Sequence, residues 1–278
     1  MDGDNRQTLM MPNRSAWDER AVIHMHDTAG FYAIGRFCAG EDILLDIVAN
    51  EIGDVGNKRI AHLQCHIGLE ALCLARRGAI VSGLDFSPQS IAAAKTLAAK
   101  SNLTATFICG DVYDAPRLFD DTFDVVFVSW GSLNWLPEIA QWGEVVGALL
   151  RPGGYLYLIE QHPFVAALKE ETPGNVVPFF DWRTPPDRPI VTDLPMSYND
   201  DPSRLQHSRL HEWNHPLSDI LAALTSAGLR IDFLHEHEVI PWRRFSTMVP
   251  VSDRFFALPA PAARMPLSFS LKASKSGK

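Results

Sequence analysis

From Arg59 to about Gln161, short apolar runs alternate with longer amphipathic ones, punctuated by glycine and proline. Ile60 to Gln64 alternates apolar and polar positions and ends in a turn closed by Gly68. A helix is expected from there to Gly78, a residue suited to the left-handed end of a helix. Ile80 to Leu84 is a second apolar strand, ending at Asp85. Ser87-Pro88 then supplies an N-cap and a preset φ for a helix through IAAAKTLAAK. Thr104 to Cys109 and Phe123 to Ser129 predict two more strands, the latter almost continuously apolar, as a strand covered on both faces should be. Pro137 to Leu150 predicts a helix, Pro152-Gly153-Gly154 a tight turn, and Tyr155 to Ile159 the next strand. Such alternation implies an α/β fold with a doubly wound, mostly parallel sheet, because right-handed crossovers place helices on both of its faces.

Outside this stretch the pattern changes. Ser15 to Val48 reads as helical and amphipathic, with Trp17, Phe31, Tyr32 and Phe37 as its large apolar residues. Pro163 to Asn214 interleaves prolines with aromatics and histidines. Residues such as Phe179, Trp182, Tyr198 and Trp213 need a surface to bury against, so an ordered lid is expected rather than a linker. Leu217 to Ala227 predicts a helix closed by Gly228, Leu229 to His235 a strand, and Leu267 to Ala273 a last strand. The expected division is an N-terminal helical cap over 1–57, a nucleotide-binding core over 58–162, a Pro- and aromatic-rich insertion over 163–215, and completion of the sheet over 216–278.

With 278 residues, 46% of them hydrophobic and 21% charged, the chain has the make-up of a globular protein with one sizeable core. A net charge of −8 argues against a nucleic-acid partner, since phosphate binding relies on Lys and Arg; a small molecule is the expected partner. Cys38, Cys65, Cys73 and Cys109 form no CxxC pair, so neither a zinc site nor a redox dithiol is expected, and the thiols read as reduced and buried. His235 and His237 lack a third metal ligand at suitable spacing. The start MDGDNRQTLMMPNRSAWDER is too polar for a signal peptide, and no apolar run reaches membrane-spanning length. The expectation is a cytoplasmic protein, monomer or homodimer, with a solvated tail at Lys275 to Lys278.

Asp85 carries the first chemical signal. In doubly wound sheets an acid at the carboxyl end of the second strand accepts hydrogen bonds from ribose hydroxyls. Around it the landmarks AHLQCHIG, GLDFS, CGDVY, and FDVVFVSWGSLNWLPEI followed by LLRPGGYLYLIE occur in order. With these, the chain from about Lys58 to Lys272 resembles the Rossmann-like, class I S-adenosylmethionine-dependent methyltransferases. The resemblance implies a seven-stranded sheet whose last strand, within PLSFSLKAS, runs antiparallel beside the fifth. It implies S-adenosylmethionine as cofactor and S-adenosylhomocysteine as product. Asp85 would hold the ribose hydroxyls and Phe86 would lie against the adenine. Asp111 would accept from the adenine amino group, the Val112 backbone would serve the ring nitrogens, and Trp130 would lie beside the cofactor. The family's DxGxGxG turn reads His62, Gln64, His66 and Gly68 here, which resembles a branch with LQCHxG in place of the glycines. Gln64 or His66 is then expected to serve the methionine carboxylate from its side chain.

Methyl transfer from a sulfonium is an in-line attack, so positioning and water exclusion do much of the work, and an acceptor that loses a proton needs a base. His162, at the carboxyl end of the fifth strand, and His215 are the candidate catalytic residues; the plainer reading of each is a satisfied structural histidine. Trp17 in the N-terminal cap is expected near the sulfonium, where an aromatic face contributes about 0.5–2 kcal/mol. Tyr32 and Trp213 are expected in the acceptor pocket; the plainer reading is a stripe that docks the cap and the insertion. Two rival readings stand. An NAD(P)-dependent oxidoreductase shares the strand, turn and ribose acid, but it needs GxGxxG, and no YxxxK pair is present. A catalytically inactive cofactor binder is favoured by the lost glycines.

Overall fold

A computed structural model describes residues 3–261 and 263–277. Met1, Asp2, Ala262 and Lys278, which belong to the expected N-terminal cap, sheet completion and tail, lie outside the described residues. The centre is a seven-stranded sheet. Its strands β1 (Arg59–Leu63), β2 (Ile80–Asp85), β3 (Thr106–Cys109), β4 (Phe123–Ser129) and β5 (Leu150–Gln161) run parallel in the order β5, β4, β1, β2, β3. Beyond β5 lies the Ser268–Lys275 strand, antiparallel to it, and then Leu229–His237 at the edge. This is the topology that the resemblance implies.

The pleat of β4 explains the two-sided core. Val125 and Phe127 enter the cluster on one face of the sheet with Ile60 and Tyr157, while Val126 and Val128 enter the other with Leu156 and Leu158. Helices Leu69–Arg76 and Pro88–Lys100 cover the first face; Ile139–Leu149 and Leu217–Ser226 cover the second. Ser87 caps the Pro88 helix by accepting from the Ser90 amide at 3.0 Å. Gly68 is required twice over: its φ is +72°, and a Cβ there would lie 2.7 Å from both Ala94 and Phe107.

Several expectations change. The N-terminal segment is not one helix over Ser15 to Val48. A helix spans Gly3–His26, and short helices follow at Ile34–Cys38 and Asp46–Glu51. The break comes at Asp27, whose carboxylate accepts from the amides of Tyr32 at 2.8 Å and Ile34 at 2.9 Å, turning the chain back. Pro152-Gly153-Gly154 lies within β5 rather than before it, with Gly153 at φ +79°. All four cysteines are free, but only Cys65 and Cys73 are buried; Cys38 and Cys109 are exposed.

The insertion is ordered into two hairpins, Leu168–Thr172 with Asn175–Pro178 and Ile190–Asp193 with Arg209–Glu212. The second is tied to the N-terminal helix by a reciprocal pair: Asn13 donates to the His211 carbonyl at 2.7 Å and accepts from the His211 amide at 2.8 Å. Together they roof the carboxyl ends of the strands. Among the described residues no helix is long and apolar enough to cross a membrane.

The two helices of the second face touch at glycine. A Cβ on Gly143 would come 2.6 Å from the Ala223 carbonyl oxygen, which belongs to backbone and cannot swing aside. Gly143→Ala is therefore expected to destabilise the fold by about 1–3 kcal/mol, as overpacking does. A lower midpoint of urea unfolding, at unchanged slope, is the result to look for.

Candidate functional site

Beneath the roof, at the carboxyl ends of the parallel strands, lies a cavity of about 890 Å³. Its wall includes Gln64, His66, Asp85, Phe86, Val112 and Trp130 from the sheet side, Trp17 and Tyr32 from the cap, and Trp213 and His215 from the far side of the insertion. Ligands of open α/β sheets bind at this end.

The turn after β1 follows a left-handed path. Gln64 (φ +54°), His66 (φ +49°) and Gly68 (φ +72°) all lie there, although only the last is glycine. A left-handed L-residue costs about 1–2 kcal/mol, so the two side chains must hold the path in place. The Gln64 amide donates to the Ser132 carbonyl at 2.6 Å. His66 uses both ring nitrogens, Nδ1 with Ser90 Oγ at 3.2 Å and Nε2 with His24 Nδ1 at 2.7 Å. His24, fully buried on the N-terminal helix, continues to Ser197 Oγ at 2.7 Å and takes the Tyr32 hydroxyl at 3.0 Å. Burial pushes His66 down to about 3 and His24 well below the usual imidazole value, so both rings are neutral donor–acceptors at physiological pH.

Asp85 closes this turn. Its Oδ2 accepts from the His66 amide at 2.8 Å and its Oδ1 from the Ser87 amide at 2.9 Å, each oxygen keeping a second lone pair. Burial raises its carboxyl to about 6 against those two amides. Asp111 is placed differently from its neighbours: Gly110 and Val112 line the cavity, whereas its carboxylate caps the turn at Tyr113 N, 3.0 Å away, with Arg6 Nε at 4.0 Å. Asp111 therefore fixes the turn in which Val112 sits, through the Tyr113 amide, and does not itself line the wall.

The loop after β4 is pinned by Glu160. Its buried carboxylate accepts from the amides of Gly131, Ser132 and Leu133 as well as Gln161. Burial raises its carboxyl, and the four amides oppose that. Trp130 begins the loop at φ +30°, its ring edge-on to Trp242 at 6.1 Å.

The two candidate bases part company. His162 does not line the cavity; Nε2 meets Glu236 Oε1 at 3.0 Å and Nδ1 accepts from the Phe164 amide at 3.1 Å, so its ring caps the short Pro163–Ala166 helix. His215 does line it, with Nε2 donating to the Leu136 carbonyl at 2.7 Å, which leaves Nδ1 bare in the neutral ring. Burial lowers its pKa, which keeps it neutral. Trp213 is fully buried and donates from Nε1 to the Pro186 carbonyl at 3.0 Å.

Sequence reasoning passes over several charged residues in the wall, Arg20 and Glu70 among them. Arg20 is 3% exposed and its Nη1 donates to its own helix at the Ala16 carbonyl, 3.2 Å away. Glu70, in the first turn of the Leu69–Arg76 helix, accepts from Ser129 Oγ, which lies 3.3 Å from His62 Nε2. The signal for Arg20 is its helical spacing: with Trp17 and His24 it falls on one face. Among the described residues no three His, Cys, Asp or Glu side chains are grouped to hold a metal ion.

Residues 60–154 match the family model described as a methyltransferase domain. The chain is 26% identical over 116 residues to the ubiquinone biosynthesis O-methyltransferase of Aeromonas salmonicida, which covers 42% of this chain and 48% of that protein, so the chain spans about half the relative's length. It is 28% identical over 223 residues to the trans-aconitate 2-methyltransferase of Mycobacterium tuberculosis, covering 74% of this chain and 73% of that one. A solved S-adenosylmethionine-dependent methyltransferase from Mesorhizobium loti superposes with a TM-score of 0.56 at 20% identity, over 82% of this chain and 96% of that one, a likeness of fold. Residues 60–154 are thus similar to a methyltransferase domain, and the sheet around them has the class I S-adenosylmethionine-dependent methyltransferase fold.

Because Glu160 is buried and gathers four amides, truncating it strands those donors. Glu160→Ala is expected to lower stability by about 2–4 kcal/mol, the cost of emptying a buried charged hydrogen-bond network. Thermal and urea unfolding would measure it, and a loss under about 0.5 kcal/mol, the scale of a surface change, would contradict it.

Proposed function

We propose that this protein transfers a methyl group from S-adenosylmethionine to a small-molecule acceptor enclosed in the roofed cavity. The observation that carries the reading is convergence. Asp85, Phe86, Val112 and Trp130, at the carboxyl ends of β2, β3 and β4, meet in one wall opposite Trp17 and Tyr32. The free lone pairs of Asp85 suit two ribose hydroxyls, the Phe86 ring suits one face of adenine, and the Val112 amide, fixed by Asp111, suits a ring nitrogen. When bound, the cofactor supplies an electrophilic methyl on sulfonium.

The chain's own residues do the rest. The roof excludes water, and the Trp17 ring presents a face that favours positive charge by about 0.5–2 kcal/mol. His215, with Nε2 committed to Leu136, offers Nδ1 as the proton acceptor for an acceptor group that ionises. The relatives named for ubiquinone biosynthesis and trans-aconitate both act on small molecules, in keeping with an enclosed cavity and a net charge of −8. The oxidoreductase reading has no support in the turn, whose left-handed path is built from Gln64 and His66 without GxGxxG.

Calorimetric titration with S-adenosylmethionine, S-adenosylhomocysteine and NADH tests the reading. S-adenosylhomocysteine should bind, NADH should not, and binding of NADH alone would sink it. Asp85→Ala should weaken S-adenosylhomocysteine at least about tenfold, since each charged hydrogen bond is worth roughly 1.5–3 kcal/mol. Affinity should also fall as pH drops through about 6, where Asp85 gains its proton, and Asp85→Asn should flatten that profile. The unliganded fold moves the other way. With its pKa raised from 3.8 to about 6, Asp85 contributes stability that is intact below 3.8 and lost as pH rises through 6.

A further inference from the structure

The methionine end of the cofactor is a zwitterion, and the turn that would normally receive it has committed its side-chain donors elsewhere, only the Gln64 Oε1 acceptor being unpartnered. Gln64 Nε2 is bonded to Ser132, and both ring nitrogens of His66 are taken by Ser90 and His24. The acid that opens the DxGxGxG pattern is also gone: His62 stands there, 2% exposed and neutral, with Nδ1 unpartnered. Among the charged residues that line the same cavity are Arg20 and Glu70, of opposite sign.

We infer that Arg20 and Glu70 clamp the amino-acid end of S-adenosylmethionine, Arg20 taking the carboxylate and Glu70, with Ser129, the ammonium. The inference rests on the methyltransferase reading above. The Arg20 guanidinium has the Ala16 carbonyl at 3.2 Å and the Trp17 ring, 5.9 Å from its centroid, as partners, but neither carries the negative charge that offsets the desolvation of a buried cation, so its place in a cavity wall suits an anion. Among the described residues no carboxylate lies within ion-pair distance of Arg20; Glu19 and Glu212 act on it only through their fields, and Glu19 is occupied by the Gln206 and His207 amides. Among the described residues Glu70 likewise forms no ion pair; its side chain accepts a hydrogen bond from Ser129 Oγ, and Arg254 acts at a distance.

Position supports the pairing. Arg20 lies 5.9 Å from the centroid of the Trp17 ring, which in turn packs on His66 at 5.1 Å, so it stands near the turn after β1. Glu70 begins the helix that leaves this turn and reaches His62 through Ser129. The Trp17 ring beside Arg20 also meets Tyr198 at 6.4 Å, and Glu70 and Arg20 both line the one cavity. An α-amino acid bears a carboxylate and an ammonium on one carbon, the charges that Arg20 and Glu70 respectively complement. The guanidinium fork suits the carboxylate geometrically, whereas Glu70 and Ser129 Oγ supply acceptors for the ammonium. The acid lost from the end of β1 has in effect moved onto the following helix.

Calorimetry with two probes on the full chain tests this: S-adenosylhomocysteine, and 5′-methylthioadenosine, which keeps the nucleoside and thioether but lacks the amino acid. Arg20→Gln and Glu70→Gln should each weaken S-adenosylhomocysteine about tenfold or more, the scale of one charged hydrogen bond, and leave 5′-methylthioadenosine within about twofold. The second probe also shows that each variant is folded. Arg20→Lys, which keeps the charge without the fork, should recover part of the loss. Unchanged affinity for S-adenosylhomocysteine in either variant would overturn the clamp, as would equal losses for both probes. Wild-type protein that binds neither probe would instead remove the methyltransferase reading on which the clamp rests.

Discussion

The turn after β1 is the constraint on which the site depends. A chain leaving a parallel strand must swing sharply to enter its helix while leaving room above the strand end, and here it does so with left-handed backbone at Gln64, His66 and Gly68. Glycine makes that path inexpensive; glutamine and histidine do not. Gln64 reaches across to the loop after β4, and His66 to Ser90 and the N-terminal helix, so the energy of these bonds offsets the strained φ values. Departure from the glycine pattern therefore does not abolish the turn's shape. It makes the shape depend on parts of the chain distant in sequence.

That dependence explains why the cap and the insertion are ordered. His24 sits between the His66 ring, Tyr32 and Ser197, joining core, cap and insertion in one set of neutral hydrogen bonds. Neutrality matters because an imidazolium at this depth would be uncompensated, with Arg20 nearby. In the same packing Arg20 and Glu70 line the cavity, and among the described residues neither has an ion pair of its own.

The sheet is legible in the sequence because period-two and fully apolar runs are local properties, and β4 and Asp85 fall where the pattern puts them. The site is legible in part. Asp85, Phe86, Val112 and Trp130 reach the wall because strand ends fix their position, whereas Asp111 turns to cap its own loop and meets Arg6 from a distant helix. His162 has the expected strand-end location, but its direction is set by Glu236 on the antiparallel edge, which no local pattern records. The N-terminal helix hides its cavity face for a related reason. Trp17, Arg20 and His24 mix an aromatic, a cation and an imidazole, so a search for an apolar stripe finds Trp17 alone.

The reciprocal amide pair between Asn13 and His211 has a kinetic consequence. It fastens the first helix to the insertion hairpin, so neither half of the roof lifts without breaking two backbone-directed hydrogen bonds or carrying the other along. Entry is thereby made cooperative. Any ligand exchange that requires the roof to lift must therefore move helix and hairpin together, and such a joint motion is slower than that of a free lid.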